Sequence, residues 1–188
     1  MKQRGFSVVE LMVTVAIAGL LMMTAVPSFT TTIKNNRINS QVNEVLGALA
    51  LARSEAAKRS QATITLCPST TGTACADSSS WENGWIIMVD VDADAVLDAS
   101  DGDLVVKYFQ ALSGDNTLRT SGFASAKSLQ ISSVGAPSSA GSFVVCDSRG
   151  ATSAKAAVML ISGQTRSAVD ENGDGIVNIP SGNVSCPA

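Results

Sequence analysis

Apolar residues fill the first part of the chain almost without interruption. Between Phe6 and Phe29 the only charged residue is Glu10. A helix over this range, at about 1.5 Å per residue, reaches roughly 36 Å and can cross a hydrocarbon core of about 30 Å. The pattern therefore predicts a transmembrane helix over residues 6–29.

Beyond this stretch the apolar positions recur at steps of three and four residues. This spacing predicts that the helix continues over residues 30–60 as an amphipathic segment that packs on a globular head. Polar residues such as Arg37 and Glu44 occupy its other face, and Lys58 and Arg59 suit a helix C-terminus because they complement its negative end. The apolar stripe consists of Ile38, Val42, Val45, Leu46, Leu49, Ala52 and Ala56.

From Ala62 onward the pattern changes from helical to extended. Short runs rich in β-branched and aromatic residues alternate with clusters of Gly, Ser and Asp, which predicts an antiparallel β-rich head over residues 61–188 and an α+β fold class. Trp81 and Trp85 are interpreted as core residues of this head rather than as ligand-stacking aromatics. The predicted strands are 63–67, 84–89, 104–109, 128–131, 142–146 and 156–161.

A possible processing site precedes the apolar stretch. Lys2 and Arg4 are followed directly by the small residue Gly5. An ordinary secretory signal carries its small-residue cleavage site after the apolar core, not before it. Cleavage after Gly5 would remove a leader peptide of residues 1–5 and leave the helix on the mature chain, with Phe6 at its N-terminus.

Glu10 has two interpretations. A carboxylate in a membrane-spanning segment costs about 2.5–3.5 kcal/mol on insertion scales, so it calls for a partner. The α-amino group of Phe6 would lie one helical turn away and could pair with Glu10 of the same chain or of a neighbour. Alternatively, Glu10 lies in the headgroup region and stabilises the helix N-terminus through the helix dipole.

Residues 4–11, followed by the apolar run that ends at Pro27, resemble the processing site and N-terminal helix of type IV pilins and type II secretion pseudopilins. Gly before Phe, Glu at the fifth mature position and Pro at the twenty-second carry this resemblance. It implies cleavage by a prepilin peptidase between Gly5 and Phe6, N-methylation of Phe6, and a role for Glu10 in assembly. It also implies residence in the inner membrane, with the head in the periplasm, before incorporation into a pilus or pseudopilus.

Three further segments, 51–59, 63–67 and 81–90, together with Ser162-Gly163, resemble the GspH/FimT group of minor pilins and pseudopilins. The resemblance implies a pilin fold, in which a long N-terminal helix carries a β-sandwich-like head. It implies a minor type IV pilin that helps to initiate assembly near the filament tip. The partners would be major and minor pilins and the inner-membrane assembly platform. The FimT branch is associated with DNA uptake. The alternative is a GspH-type pseudopilin of the type II secretion system.

Charge and composition argue against two classes of function, general nucleic-acid binding and catalysis. The 13 basic residues fall to 11 when Lys2 and Arg4 are removed, and against 16 acids this gives a net charge of −5. An acidic chain of this kind does not attract nucleic acid over its whole surface. Because the chain has no histidine, a Ser or Cys nucleophile would lack its usual base. We therefore expect no enzyme activity and no catalytic residues.

Four cysteines in a chain with a membrane-targeting helix predict two disulfides in an oxidising compartment rather than a zinc site. Four cysteines allow three connectivities. We predict Cys67–Cys75, which closes a short loop rich in Ser, Thr and Gly, and Cys146–Cys186, which ties the C-terminal tail to a strand.

Two acidic segments partly match a calcium-binding loop. The first segment, residues 90–101, has aspartates at template positions 1, 3, 5, 9 and 12, which are Asp90, Asp92, Asp94, Asp98 and Asp101. However, Ala95 replaces the turn glycine, and Asp101 replaces the final glutamate of the template. The second segment, residues 170–181, matches the template better, although Ser181 stands at position 12. Alternatively, both are tight solvated turns, and no cofactor is required. The candidate calcium ligands are Asp170, Asn172, Asp174 and Asn178.

One turn near the C-terminus resembles the DNA-binding motif of the FimT branch, Gly-Arg-x-Arg. Gly163 and Arg166 match this motif, whereas Gln164 stands where an arginine would contact a phosphate. Lys155 and Arg149 are additional candidates. The nearby acidic residues 170, 171 and 174 would repel a phosphate backbone, so the expected binding of double-stranded DNA is at most weak, salt-sensitive and independent of sequence.

Overall fold

The computed structural model describes residues 5–59 and 62–187, so the leader residues 1–4 lie outside it. Helix α1, Val8–Lys58, covers both predicted helical segments as one element. By contacts the chain divides into two units, Met1–Asn36 and Arg37–Ala188. The division falls within α1, so the second part of the helix belongs to the same unit as the head.

Many apolar side chains in the first part of α1 are exposed. Of the described residues, α1 is the one helix that is long and apolar enough to cross a membrane, with a mean hydropathy of 2.1 in its most apolar window. Such a surface is unfavourable in water, so it requires lipid or other protein to cover it. The exposed apolar residues include Phe6, Val9, Met12, Leu20, Leu21, Phe29 and Ile33.

The second part of α1 supplies the core of the head. Six of the seven residues in the predicted apolar stripe are buried, and Leu46 is half-buried. Arg53, which the pattern places on the polar face, is also half-buried, and its Nε is enclosed. The amphipathic segment is therefore confirmed, with a wider buried face than its apolar residues alone predict.

Two antiparallel four-stranded sheets form the head. The first sheet has the order β3-β2-β1-β5, and the second has the order β4-β6-β7-β8. A separate two-stranded ribbon pairs β9 with β10. The strands are β1 Thr63–Pro68, β2 Trp85–Asp90, β3 Leu104–Phe109, β4 Thr117–Ser121, β5 Leu129–Ile131, β6 Gly141–Cys146, β7 Lys155–Met159, β8 Thr165–Ser167, β9 Asn178–Ile179 and β10 Gly182–Asn183.

The main hydrophobic core joins the second part of α1 to both sheets. Trp81 and Trp85 are fully buried in it, as predicted. The Trp81 ring meets Phe143 edge to face with centroids 4.9 Å apart, and its indole N–H donates to the carbonyl of Ala126 at 2.9 Å. Trp85 stacks on Phe109 at 5.0 Å. These contacts leave neither tryptophan available for a ligand.

A smaller core lies on the other face of the second sheet. Along β6, Phe143 and Val145 belong to the main core, whereas Val144 and Cys146 belong to the smaller one, as the alternation of a strand requires. The C-terminal segment covers this face, since Val177 and Val184 are among its buried residues. The second sheet is thus buried on both faces.

Four strands, β4, β8, β9 and β10, were not predicted from the sequence. β4 and β8 are mainly polar, and β9 and β10 have two residues each, so none shows an alternating apolar run. The positions of the two longer strands depend on pairing with their neighbours, since β4 pairs with β6 and β8 pairs with β7. The last predicted strand also ends earlier, at Met159, because a turn begins at Leu160.

Candidate functional site

The predicted processing and assembly residues lie at the start of α1. Gly5 and Phe6 precede the helix, and the Phe6 side chain is 79% exposed. Glu10 lies in the first turn. Its backbone N–H donates to the hydroxyl of Ser7 at 3.2 Å, and the N–H of Leu11 donates to the Ser7 carbonyl at 3.1 Å. Ser7 is therefore the N-cap of the helix.

This arrangement supports one interpretation of Glu10 and leaves the other as a prediction. A carboxylate in the first turn is stabilised by the positive end of the helix dipole, as the second interpretation proposes. Pairing with the amino group of Phe6 concerns the processed chain and stays a prediction. The cap was not predicted, although Ser7 and Glu10 have the spacing of a capping box.

Both predicted disulfides are present, Cys67–Cys75 and Cys146–Cys186, and the described residues include no free cysteine. Cys67 lies in β1 and is buried, so the first bond ties the following loop to the first sheet. Cys146 ends β6, so the second bond fixes the C-terminal segment that covers the second sheet.

The turn that resembles a DNA-binding motif connects β7 to β8. Leu160 and Gln164 close it, with the Leu160 N–H donating to the Gln164 carbonyl at 2.9 Å. Gly163 has φ +80°, and a Cβ built on it would lie 2.0 Å from the carbonyl oxygen of Gly135. The glycine of the motif is therefore required by packing, independently of any DNA contact.

The candidate cations do not form one patch. Arg166 pairs with Val158 in the register of β7 and β8, whereas Lys155 belongs to the opposite face of β7. Lys155 begins β7 and Arg149 lies in the connection that precedes it, whereas the turn with Gln164 follows the end of β7. The structure thus brings together Gly163, Gln164 and Arg166 and separates them from the other two residues.

Acidic residues accompany the arginines. The guanidinium of Arg166 lies 3.2 Å from the carboxylate of Glu171, and both side chains are partly exposed. Arg149 forms an ion pair with Asp147 at 2.6 Å. A phosphate that binds at Arg166 would have to compete with Glu171, which adds a specific cause for the weak binding that the sequence predicts.

The loop over residues 170–178, here called the C-terminal acidic loop, is a compact turn. Both carboxylate oxygens of Asp170 accept backbone N–H groups, from Gly173 and Gly175, each at 2.7 Å. The amide of Asn183 donates to Asp174 and is the main cause of its lowered pKa, with a further contribution from the N–H of Ile176.

The other two candidate ligands of this loop are also hydrogen-bonded. The side-chain oxygen of Asn172 accepts the N–H of Asp174 at 3.2 Å, and that of Asn178 accepts the N–H of Glu171 at 2.7 Å. The tight-turn alternative accounts for these contacts, and calcium binding by this loop stays a prediction.

Comparison with known proteins identifies the family. The family model described as "Type II transport protein GspH" matches residues 41–165, more than half of the chain. The model described as "Prokaryotic N-terminal methylation motif" matches residues 1–26. A search of curated proteins found no match.

Two crystal structures of the type IV minor pilin FimU from Pseudomonas aeruginosa strain PAO1 share the fold. The structure in space group P21 has 19% identity and a TM-score of 0.54 over 71% of this chain and 89% of FimU. The structure in space group P65 has 17% identity and a TM-score of 0.53 over 70% of this chain and 92% of FimU.

The matches agree with the architecture. The methylation motif and the apolar helix fit membrane anchoring followed by assembly with other pilins in a filament, which is a structural rather than an enzymatic role. One long N-terminal helix followed by antiparallel sheets is the pilin fold. The chain belongs to the GspH family and is a type IV minor pilin or pseudopilin.

Proposed function

We propose that this chain is a minor pilin of a type IV pilus and takes part in pilus assembly near the filament tip. The observation that carries the proposal is the set of exposed apolar residues that begins with Phe6 and continues in the first part of α1 to Ile33. Glu10 is the lone acid in this stretch of the sequence. Lipid covers this surface before assembly, and the helices of neighbouring subunits cover it in the filament.

The path to the filament begins in the inner membrane, with the head in the periplasm. Disulfides suit that compartment because it is oxidising. A prepilin peptidase cuts between Gly5 and Phe6, and Phe6 is N-methylated. The assembly platform then extracts the subunit, and Glu10 pairs with the amino group of a neighbouring subunit. This pairing provides a carboxylate in an apolar helix with a partner of opposite charge.

A pseudopilin of the type II secretion system is the alternative function. The match to the GspH family supports it, whereas the fold likeness to FimU supports the pilus. Deletion of the gene in its own organism separates the two roles. We expect loss of surface pili and unchanged secretion of extracellular enzymes. Normal piliation with defective secretion would assign the chain to the secretion system.

Glu10→Ala tests the assembly step. The variant should insert in the membrane as well as the wild type or better, because a charge leaves the apolar segment. It should be absent from sheared filaments, which are assayed by immunoblotting. Glu44→Ala is the matched control, since Glu44 is also an exposed acid of α1 and lies outside the apolar stretch. Equal recovery of Glu10→Ala and wild type in filaments would contradict the proposed role of Glu10.

A further inference from the structure

The loop between β2 and β3, residues 91–103, is the most acidic segment of the chain. Together with Asp90 at the end of β2 it carries six aspartates and no basic residue. The ion pairs of the described residues involve none of these six. The negative charge of this segment is therefore not balanced by a protein cation within ion-pair distance.

Three of these aspartates converge. Carboxylate oxygens of Asp90, Asp92 and Asp94, one from each residue, all lie within 4.8 Å of one another. In the described part of the chain, no other group of three histidines, cysteines or acidic residues comes this close. Like charges at this distance repel one another unless a cation lies between them.

Asp90 provides an independent indication of a ligand. Its side chain is fully buried, and its Oδ1 has no hydrogen-bond donor among the described residues. Its Oδ2 accepts the Thr65 hydroxyl at 2.6 Å and the Ala95 N–H at 3.1 Å, which fixes the carboxylate on the rigid end of β2. A buried carboxylate oxygen without a partner is costly, and a bound cation removes that cost.

Asp92 and Asp94 each have one carboxylate oxygen without a hydrogen bond to a described residue. Oδ1 of Asp92 accepts the N–H of Asp94 at 3.3 Å, and Oδ1 of Asp94 accepts the N–H of Val96 at 2.7 Å. No hydrogen bond among the described residues uses the second oxygen of either side chain. Asp90, Asp92 and Asp94 thus each have one carboxylate oxygen without a hydrogen bond to a described residue.

The C-terminal acidic loop differs in the hydrogen bonding of its carboxylates. Its residues stand in the same relative positions and form the same turn, but hydrogen bonds occupy both oxygens of Asp170 and both oxygens of Asp174. Its middle position is Asn172, so it also carries one negative charge fewer at these three positions. The two loops therefore form the same turn, but the first and third aspartates retain an oxygen without a hydrogen bond in the loop between β2 and β3 and not in the C-terminal acidic loop.

We propose that Asp90, Asp92 and Asp94 bind a calcium ion. Three carboxylates suit a hard divalent cation, and calcium takes 6–8 oxygens in flexible geometry, whereas magnesium demands a near-ideal octahedron and keeps several waters. The ion would order the loop that leads to edge strand β3. This inference concerns the head and does not depend on the filament role of α1.

The test is calcium titration of the full chain, purified in detergent and freed of metal with a chelator. Isothermal titration calorimetry should give a dissociation constant on the order of 10⁻⁴ to 10⁻³ M, as in extracellular calcium modules. Calcium at saturation should raise the melting temperature, because the ion binds the folded state. Magnesium should bind at least about tenfold more weakly.

Variants locate the site. Asp92→Asn and Asp94→Asn should each weaken calcium binding about tenfold or more, because each removes one charge from the ligand set. Both residues are exposed, so these variants should fold, and circular dichroism checks this. Asp115→Asn is the control, since Asp115 is an exposed aspartate outside both acidic loops, and it should bind like the wild type.

Three results would overturn the proposal. The first is that the wild-type chain neither releases heat nor changes its melting temperature in about 10 mM calcium, above the range of such modules. The second is that Asp92→Asn and Asp94→Asn bind as the wild type does. The third is that Asp174→Asn abolishes binding instead, which would place the calcium site in the C-terminal acidic loop.

Discussion

Gly163 packs directly on the backbone of Gly135. A Cβ at position 163 would lie 2.0 Å from the Gly135 carbonyl oxygen, far inside van der Waals contact, and 3.1 Å from Nε of Arg53. The turn between β7 and β8 therefore packs on the loop that follows β5 and on the second part of α1. This contact joins the second sheet to the first by means of backbone alone.

Gly163→Ala should strongly destabilise the head. The left-handed φ of +80° costs about 1–2 kcal/mol for a residue with a Cβ, and the clash with backbone requires a further movement of the turn, so we expect a total of about 3 kcal/mol or more. Gly173→Ala is the control, because Gly173 has φ +79° with open space around it and Ala93, at the equivalent position of the other acidic loop, adopts φ 63°. Urea denaturation measures both, and equal losses would show that the turn adapts to a methyl group.

Ser7→Ala should fray the start of α1. Loss of an N-cap costs about 1 kcal/mol, so the amides of Glu10 and Leu11 should exchange with solvent about fivefold faster. Hydrogen exchange measured by NMR in micelles tests this. Ser7→Thr should restore protection because threonine also caps, and Ser40→Ala, an exposed serine inside α1, should leave these amides unchanged. Unchanged exchange in Ser7→Ala would mean that water replaces the hydroxyl.

The fold was largely predictable because its main signal is apolar periodicity. The buried stripe of α1 and the strands β1, β2 and β6 carry that signal in their own residues. β4 does not: of its five residues only Leu118 is buried, and its position depends on its pairing with β6. A strand defined by its neighbour leaves little trace in its own sequence.

The candidate sites were less predictable for a related reason. Residue types favoured the C-terminal acidic loop as a calcium site, because it has glycines where the template requires them. Ala95 nevertheless adopts the same left-handed conformation, with φ 63°. Whether Asp90 or Asp170 retains a free oxygen depends on which backbone N–H groups reach the carboxylate, and residue type does not determine that.

The two disulfides should contribute unequally to stability. Loop-closure entropy predicts about 4 kcal/mol for Cys146–Cys186, with a sequence separation of 40, and about 2.5 kcal/mol for Cys67–Cys75, with a separation of 8. Replacing each pair by alanine and measuring urea denaturation tests the order. The reverse order would mean that the cost of the lost packing around the buried Cys67 exceeds the entropic difference.

DNA binding, if the turn at Gly163 provides it, should depend on the charges at positions 164, 166 and 171. Arg166 is the one cation of the turn, and Glu171 forms an ion pair with it. Gln164→Arg adds a second phosphate contact, and Glu171→Gln releases the first, so each should tighten binding to duplex DNA. Arg166→Ala should weaken it. Fluorescence anisotropy of the full chain in detergent at low salt measures these affinities.

The salt dependence of binding reports the number of phosphate contacts, because each contact changes the slope of log K against log salt concentration by about 0.9. Gln164→Arg should therefore make the slope steeper by about one, and Arg166→Ala should make it shallower by the same amount. Lys155→Ala is the control, since Lys155 lies on the opposite face of β7 and near its other end. If Lys155→Ala weakens binding as much as Arg166→Ala does, or if Gln164→Arg has no effect, DNA binds elsewhere on the head and the likeness of this turn to a DNA-binding motif reflects only the packing of Gly163.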